Sequence, residues 1–236
     1  MFRFKQFTIQ QDRTAMKVCT DACVLGAWAN IKTGNRLLDI GTGTGLLALM
    51  AAQRNPAARI DAVELDADAA GQARENVMAS PFAKRIIVAQ ASIQAFATTI
   101  PPRFYDHILT NPPFYANSLR SPDASVNRAL HTDELPFTDL IDVVVRVLKE
   151  DGSWWVLLPP YESDRLLVMA QKAGLRAVRQ LHLRHQPRKP VLRHLTEFRF
   201  TEASEPQTEL LTIREADGQT YSTHFRALLE TYYLIF

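Results

Sequence analysis

The sequence predicts an α/β fold built on a mostly parallel sheet with helices on both faces, and three observations predict it. Short apolar strands alternate with helical stretches through the first 174 residues. A glycine-rich turn, Gly41-Thr42-Gly43-Thr44-Gly45, follows the first strong strand directly. A rigid tetrad, Asn111-Pro112-Pro113-Phe114, follows the fourth. Alternation of this kind implies parallel strands joined by crossover helices. Breaks in backbone pattern at strand ends mark the carboxyl edge, where such sheets bind ligands.

The elements follow in order. Arg36–Ile40 is an apolar run with the length of a strand, and Gly45–Gln53 has the spacing of a helix. Arg59–Glu64 reads as a strand and Asp66–Ala79 as a helix with a charged face. Arg85–Gln90 is a third strand, followed by a short helical piece near Gln94–Ala97. Tyr105–Thr110 is a buried strand, Phe137–Leu148 a helix, Ser153–Leu158 a strand and Glu162–Ala173 a helix. After Gly174 the pattern changes. Leu175–Arg184 and Arg193–Thr201 form an antiparallel pair around the Pro187–Pro190 loop. The aromatic tail Tyr221–Phe236 has near-helical spacing and is expected to dock on the sheet. Residues Ser118–Thr132 are the least patterned and read as a mobile loop.

Composition sets bounds. A chain of 236 residues, 47% hydrophobic and 22% charged, suits one large domain with a full core. No apolar run reaches the ~18–20 residues of a membrane span, and the first residues lack a signal-peptide core, so the expected location is the cytoplasm. Cys19 and Cys23 do not make a zinc site by themselves, and the six histidines show no ligand spacing, so no metal is expected. The net charge of +2 does not argue for nucleic acid. Its distribution is more telling: Arg176–Arg199 holds seven basic residues and one acid. Such a segment attracts phosphate if it is contiguous in space, and otherwise is a solvated hairpin.

The glycine turn is spaced Gly41-x-Gly43-x-Gly45, unlike the G-x-G-x-x-G turn that wraps a pyrophosphate. Glycines there let the backbone approach a ligand. Asp39 introduces the turn, and a carboxylate suits a cationic ligand. Glu64 ends the second strand nineteen residues beyond Gly45, near the offset at which an acid reaches a ribose hydroxyl pair. Ser92 follows the third strand and carries a hydroxyl that accepts hydrogen bonds. In Asn111-Pro112-Pro113-Phe114 each proline fixes φ and bars helical geometry for its predecessor. The Asn111 amide and Pro112 carbonyl are thereby held as fixed acceptors. Two acceptors gripping the hydrogens of an exocyclic amine turn its lone pair toward an electrophile, and Phe114 offers a stacking face for a flipped base.

Taken together, the glycine turn and the tetrad resemble S-adenosylmethionine-dependent methyltransferases acting on planar nitrogens. Further stretches narrow the likeness: Phe2-Arg3-Phe4-Lys5-Gln6-Phe7, Ala15-Met16-Lys17-Val18, Thr20-Asp21, Leu25-Gly26-Ala27-Trp28, Ile60–Leu65 and Phe225–Phe236. These resemble the bacterial tRNA(Val) adenine-N6 methyltransferases, which modify the adenine at tRNA position 37. The resemblance implies a class I, Rossmann-like fold with a seven-stranded sheet and an antiparallel closing strand. It implies one domain over 1–236: a cofactor-covering segment (1–34), a nucleotide-binding core (35–174) and a C-terminal hairpin with a docking tail (175–236). S-adenosyl-L-methionine is then the methyl donor, tRNA the substrate, and no obligate protein partner is expected.

Catalysis falls to Asn111, Pro112 and Phe114. The expected cofactor residues are Lys17, Thr20, Asp39, Gly41, Gly43, Gly45, Glu64, Ser92 and Asn111. Thr20 also has the character of a helix start. RNA contacts are expected at Arg120, Arg128, Arg184, Arg188, Lys189 and Arg193. Two departures from the family pattern keep alternatives open. Serine stands at position 92 where many relatives have Asp, and the tetrad ends in Phe114 where tyrosine is common. Guanine N2 in ribosomal RNA, or a protein glutamine amide, fits the same grip. An NAD-dependent oxidoreductase is disfavoured by the glycine spacing.

Overall fold

The computed structural model describes residues 1–14, 16–112, 135–202 and 205–236. Two short strands open the chain, β1 (Phe2–Arg3) and β2 (Thr8–Ile9), paired antiparallel. Helix α1 (Thr20–Trp28) follows. Then come β3 (Arg36–Ile40), α2 (Leu46–Arg54), β4 (Arg59–Glu64), α3 (Ala67–Met78), β5 (Ile86–Gln90), α4 (Ile93–Thr98) and β6 (Tyr105–Thr110). Beyond the undescribed stretch lie α5 (Phe137–Val147), β7 (Leu148–Leu158), α6 (Pro160–Lys172), β8 (Leu175–Arg184), β9 (Val191–Phe200), β10 (Gln207–Thr212) and α7 (Thr223–Leu229). The Ser118–Thr132 loop reading lies outside the described residues.

The main sheet runs β10-β8-β9-β7-β6-β3-β4-β5. Every neighbouring pair is parallel except β7 with β9 and β8 with β9, so β9 alone runs against the rest. The class I expectation holds with two differences. The sheet has eight strands rather than seven, because β10 adds a parallel edge beside β8. The antiparallel strand is also inserted between β7 and β8 rather than closing the edge. The β8–β9 hairpin forms as expected and folds back so that its second strand completes the β7 edge.

Alternation along β7 shows how the two faces are filled. Trp154, Val156 and Leu158 enter one core, with Leu140 and Val144 of α5 and Leu166 of α6. Trp155 and Leu157 enter the other, with Leu25 of α1, Leu49 and Met50 of α2 and Phe225 of α7. Period-two side chains facing opposite ways are buried on both sides, the condition of a covered parallel sheet. Helices α1 and α2 pack closely: a Cβ added at Gly26 would stand 2.7 Å from the Met50 sulfur. A larger residue at position 26 would force the Met50 side chain to move.

Only Thr223–Leu229 of the aromatic tail is helical, and the tail docks on α1 and the N-terminal hairpin. Tyr233 pairs with Phe4 in a β-bridge, Lys5 N donates to Tyr232 O at 2.8 Å, and Tyr232 and Tyr233 are buried in the α1–α2 core. Chain start and chain end thus hold one another, which explains why both carry so many aromatic residues.

Candidate functional site

The site grows from the carboxyl ends of β3, β4 and β6. Ile40 of β3 is in register with Val63 of β4 and Thr110 of β6. The residues that leave these strands therefore emerge side by side, at the ~4.8 Å strand spacing. They are Gly41, Glu64 and Asn111.

The glycine turn is held by its neighbour. Gly41 N and Thr42 N both donate to Val63 O, at 2.9 and 3.0 Å. Gly41, Gly43 and Gly45 all have positive φ, at 70°, 55° and 83°. A Cβ built on Gly41 or Gly43 would meet nothing within 4 Å, so the turn borders open space that side chains would fill. This is a cradle into which a ligand's atoms can approach the backbone.

Two carboxylates shape the cradle, in different ways. Asp39 is 1% exposed. Its Oδ2 accepts from the Thr42 hydroxyl at 2.5 Å and from Ala48 N at 3.1 Å, so it ties β3 to the turn and to the first turn of α2. Its Oδ1 has no partner. Burial pushes the Asp39 carboxyl up to about 7; its hydrogen bonds to Thr42 and Ala48 work against that rise, and nearby Glu64 adds to it. Glu64 is half-buried at the rim. Its Oε2 accepts from Gly43 N at 2.8 Å and its Oε1 from Asp66 N at 3.0 Å. Each oxygen keeps further acceptor capacity, the requirement for receiving two adjacent hydroxyls.

Ser92 caps α4, its hydroxyl accepting from Ala95 N at 3.2 Å, and Ala91 N donates to Glu64 O at 3.0 Å. Ser92 therefore stands beside Glu64 at the same edge. Sequence reasoning missed Gln72 and Asn76, two buried amides on α3. Asn76 Nδ2 donates to Thr44 O of the glycine turn and to Gln10 O, both at 2.9 Å, while its Oδ1 accepts from Gln10 N at 2.8 Å. Gln72 Oε1 accepts from Arg13 N at 3.0 Å and its Nε2 donates to Asp12 at 2.6 Å. The N-terminal arm is thus stitched across α3 beside the turn. Polar residues four apart on the inward face of a helix were the available signal. Lys17 is exposed on this arm, and Thr20 is exposed at the start of α1, toward the hairpin.

On the acceptor side, Trp154 Nε1 donates to the Thr110 hydroxyl at 3.0 Å and steadies the end of β6. Asn111 follows, half-buried, with its side-chain oxygen buried and unpartnered, and Pro112 is buried. Among the described residues this amide oxygen has no donor, so it is free to accept a ligand hydrogen. Phe114, Arg120 and Arg128 lie outside the described residues.

The basic hairpin is thinner than its composition suggests. Arg179 pairs with Glu209 at 2.7 Å, Arg193 with Asp21 at 2.8 Å and Arg199 with Glu197 at 2.6 Å. Arg176 is in register with Arg199 at the far edge of the sheet. Arg184 donates to the Thr212 hydroxyl at 2.8 Å, and Arg188 and Lys189 are exposed in the turn. That turn does lie on the same edge as the glycine turn, since β8 runs parallel to β3. Among the described residues, no group of three His, Cys, Asp or Glu could hold a metal ion, and no helix is long and apolar enough to cross a membrane.

The chain is similar to known proteins over its whole length. Residues 24–160 match the family model described as the Methyltransferase small domain. A tRNA1(Val) (adenine(37)-N6)-methyltransferase of Dyadobacter fermentans is 48% identical, covering 100% of this chain and 98% of its own. One of the same description from Tolumonas auensis is 43% identical, covering 99% and 96%. Among solved structures, a predicted O-methyltransferase from Agrobacterium tumefaciens superposes with a TM-score of 0.66 at 17% identity, covering 89% of this chain and 96% of that one, a likeness of fold. With a glycine cradle, a rim acid and an unpartnered acceptor amide on one sheet edge, and with relatives matched end to end, the chain belongs to the methyltransferase small-domain family and, within it, to the tRNA1(Val) (adenine(37)-N6)-methyltransferases.

Proposed function

We propose that the protein transfers a methyl group from S-adenosylmethionine to the N6 amine of adenine in tRNA, at position 37 of tRNA(Val). The observation that carries the reading is the unpartnered buried oxygen of Asn111, one strand from the glycine cradle. The cradle fits the donor because Gly41 and Gly43 leave room at the backbone and Glu64 offers two carboxylate oxygens. When bound, S-adenosylmethionine supplies an electrophilic methyl group that needs no further activation.

The protein's own residues do the rest. Glu64 receives the ribose hydroxyls while holding Gly43, and Asp39 keeps the turn in shape from beneath. Ser92 borders the adenine end, and Lys17 and Thr20 belong to the segment over the methionine end. The Asn111 side chain and Pro112 carbonyl accept the two amine hydrogens, which frees the nitrogen lone pair and aims it in line. Phe114 stacks on the flipped base. Arg184, Arg188 and Lys189 attract the phosphates, together with Arg120 and Arg128, and Arg193, paired with Asp21, contributes from beside the hairpin turn. The whole chain acts as one domain, in the cytoplasm, on the anticodon loop.

The test is methyl transfer from labelled S-adenosylmethionine to unmodified tRNA, with nucleoside analysis of the product. The expected product is N6-methyladenosine in tRNA(Val). Label in ribosomal RNA or in protein glutamine, with none in tRNA, overturns the substrate.

A further inference from the structure

Between the first turn of α1, the β8–β9 turn and the segment joining β10 to α7 lies a cleft of about 290 Å³. Its walls include Asp21, His185, Leu192, Ile213, Arg214 and Tyr221. None of its wall residues from the hairpin onward figures in the site above. Its size approaches the ~300 Å³ at which small-ligand pockets begin.

Two charged residues line the cleft, Asp21 and Arg214. Asp21 is already engaged, with Oδ2 on Arg193 at 2.8 Å and Oδ1 accepting from Ala22 N at 3.1 Å. Arg214 lies over the Tyr221 ring, 4.2 Å from its centroid, and donates to Gln219 O. Among the described residues it enters no ion pair, although Asp217 is near enough for Arg214 to help lower its pKa. The Asp217 oxygens are taken by Gln219 N, Thr220 N and the Thr220 hydroxyl. Tyr221 is in turn stacked on Phe225, centroids 5.2 Å apart. A guanidinium laid on a stacked aromatic is pre-oriented, and its remaining N–H groups form a fork suited to phosphate.

The other wall is apolar. Leu192 is 44% exposed, and Ile213, which lines the same cleft, is buried. A cation beside an apolar shelf matches a nucleotide better than a free anion. The location matches too. The cleft opens at the same sheet edge as Asn111, three strands from β6 and about four residues further along β8, because Thr110 is level with Gln180; it therefore lies roughly 20 Å away.

We propose that this cleft holds a nucleotide of the substrate RNA beyond the immediate neighbours of the target base, with Arg214 on its phosphate and Leu192 and Ile213 against its sugar or base. The assignment rests on the RNA reading above. The test compares wild type with Arg214→Gln, Arg214→Lys and Leu192→Trp in steady-state methylation of tRNA over a range of salt. Arg214→Gln is expected to raise KM for tRNA about tenfold and to make the log–log salt slope shallower by about 1, leaving KM for S-adenosylmethionine unchanged. Arg214→Lys retains the slope and loses part of the affinity. Leu192→Trp fills the cleft and raises KM for tRNA at an unchanged slope. Wild-type KM values and slope in both Arg214→Gln and Leu192→Trp overturn the inference. So do equal rises in KM for tRNA and for S-adenosylmethionine, which mark a structural role. A wild-type enzyme that methylates no RNA instead overturns the reading beneath it.

Discussion

Replacing Asp39 with Asn separates the cost of a buried carboxylate from its use. Burial raises the folded-state pKa to about 7 from the ordinary 3.8 of an aspartate. Below pH 3.8 both folded and unfolded chains carry the proton, and no cost arises. As pH rises from 3.8 to 7, the unfolded chain releases its proton while the folded one keeps it, so stability falls. Above 7 the loss levels off at ~4 kcal/mol, about three pKa units at ~1.4 kcal/mol each. Asparagine escapes this loss. Its oxygen can still accept from the Thr42 hydroxyl and Ala48 N, but its NH2 replaces the partnerless Oδ1 and costs ~1–3 kcal/mol.

At pH 8 the variant should therefore be more stable than wild type by ~1–3 kcal/mol. At pH 5 the advantage should vanish or reverse, because wild type has lost only ~1.7 kcal/mol there. Urea unfolding of both proteins at pH 5, 6, 7 and 8 measures the gap, which should widen by ~2–3 kcal/mol, or roughly 4–12 °C in Tm for a chain of this size. A gap that is the same at every pH would refute the reasoning, because it would mean that Asp39 does not titrate between the folded and unfolded states in this range.

Two other perturbations address the neighbouring parts. Glu64→Ala removes the acceptor for Gly43 N and the acid proposed to receive the ribose hydroxyls, so the Kd for S-adenosylmethionine by calorimetry should rise roughly 10–100-fold. Arg188→Ala with Lys189→Ala should weaken tRNA binding and make its log–log salt slope shallower by about 2, read by filter binding; an unchanged slope removes both from the interface.

The parallel core was legible in the sequence because each strand is a short apolar run ending in a residue that cannot continue it. Gly41 needs positive φ and Pro112 fixes its own, so both announced strand ends that the structure places side by side. The eighth strand was not legible. Gln207-Thr208-Glu209-Leu210 is exposed and polar, because an edge strand faces solvent and has little apolar pattern to show. The tail's aromatic spacing read as a longer helix, but Tyr232 and Tyr233 are buried by pairing with the first residues of the chain, a contact across the whole sequence.

The charges were the least legible part. Counting along Arg176–Arg199 gave one dense patch, but three of its arginines are paired, with Asp21 of α1, Glu209 of β10 and Glu197 of β9 itself. Meanwhile Arg214, thirty residues beyond the hairpin's first arm, comes to the same edge through β10. Asp39 shows the same limit: its place before the turn was evident, but not that it would accept from the Thr42 hydroxyl of the turn and from Ala48 N of α2.

The central claim is that Asn111 grips the acceptor amine beside a cradle that holds the donor independently. Single-turnover methylation of tRNA by Asn111→Ala, with the S-adenosylmethionine Kd measured on the same protein, tests it most directly. The account predicts a methyl-transfer rate roughly 10²–10³-fold lower with the Kd little changed, the size of effect seen when one preorganised polar contact is lost from a reacting centre. A rate equal to wild type would contradict it.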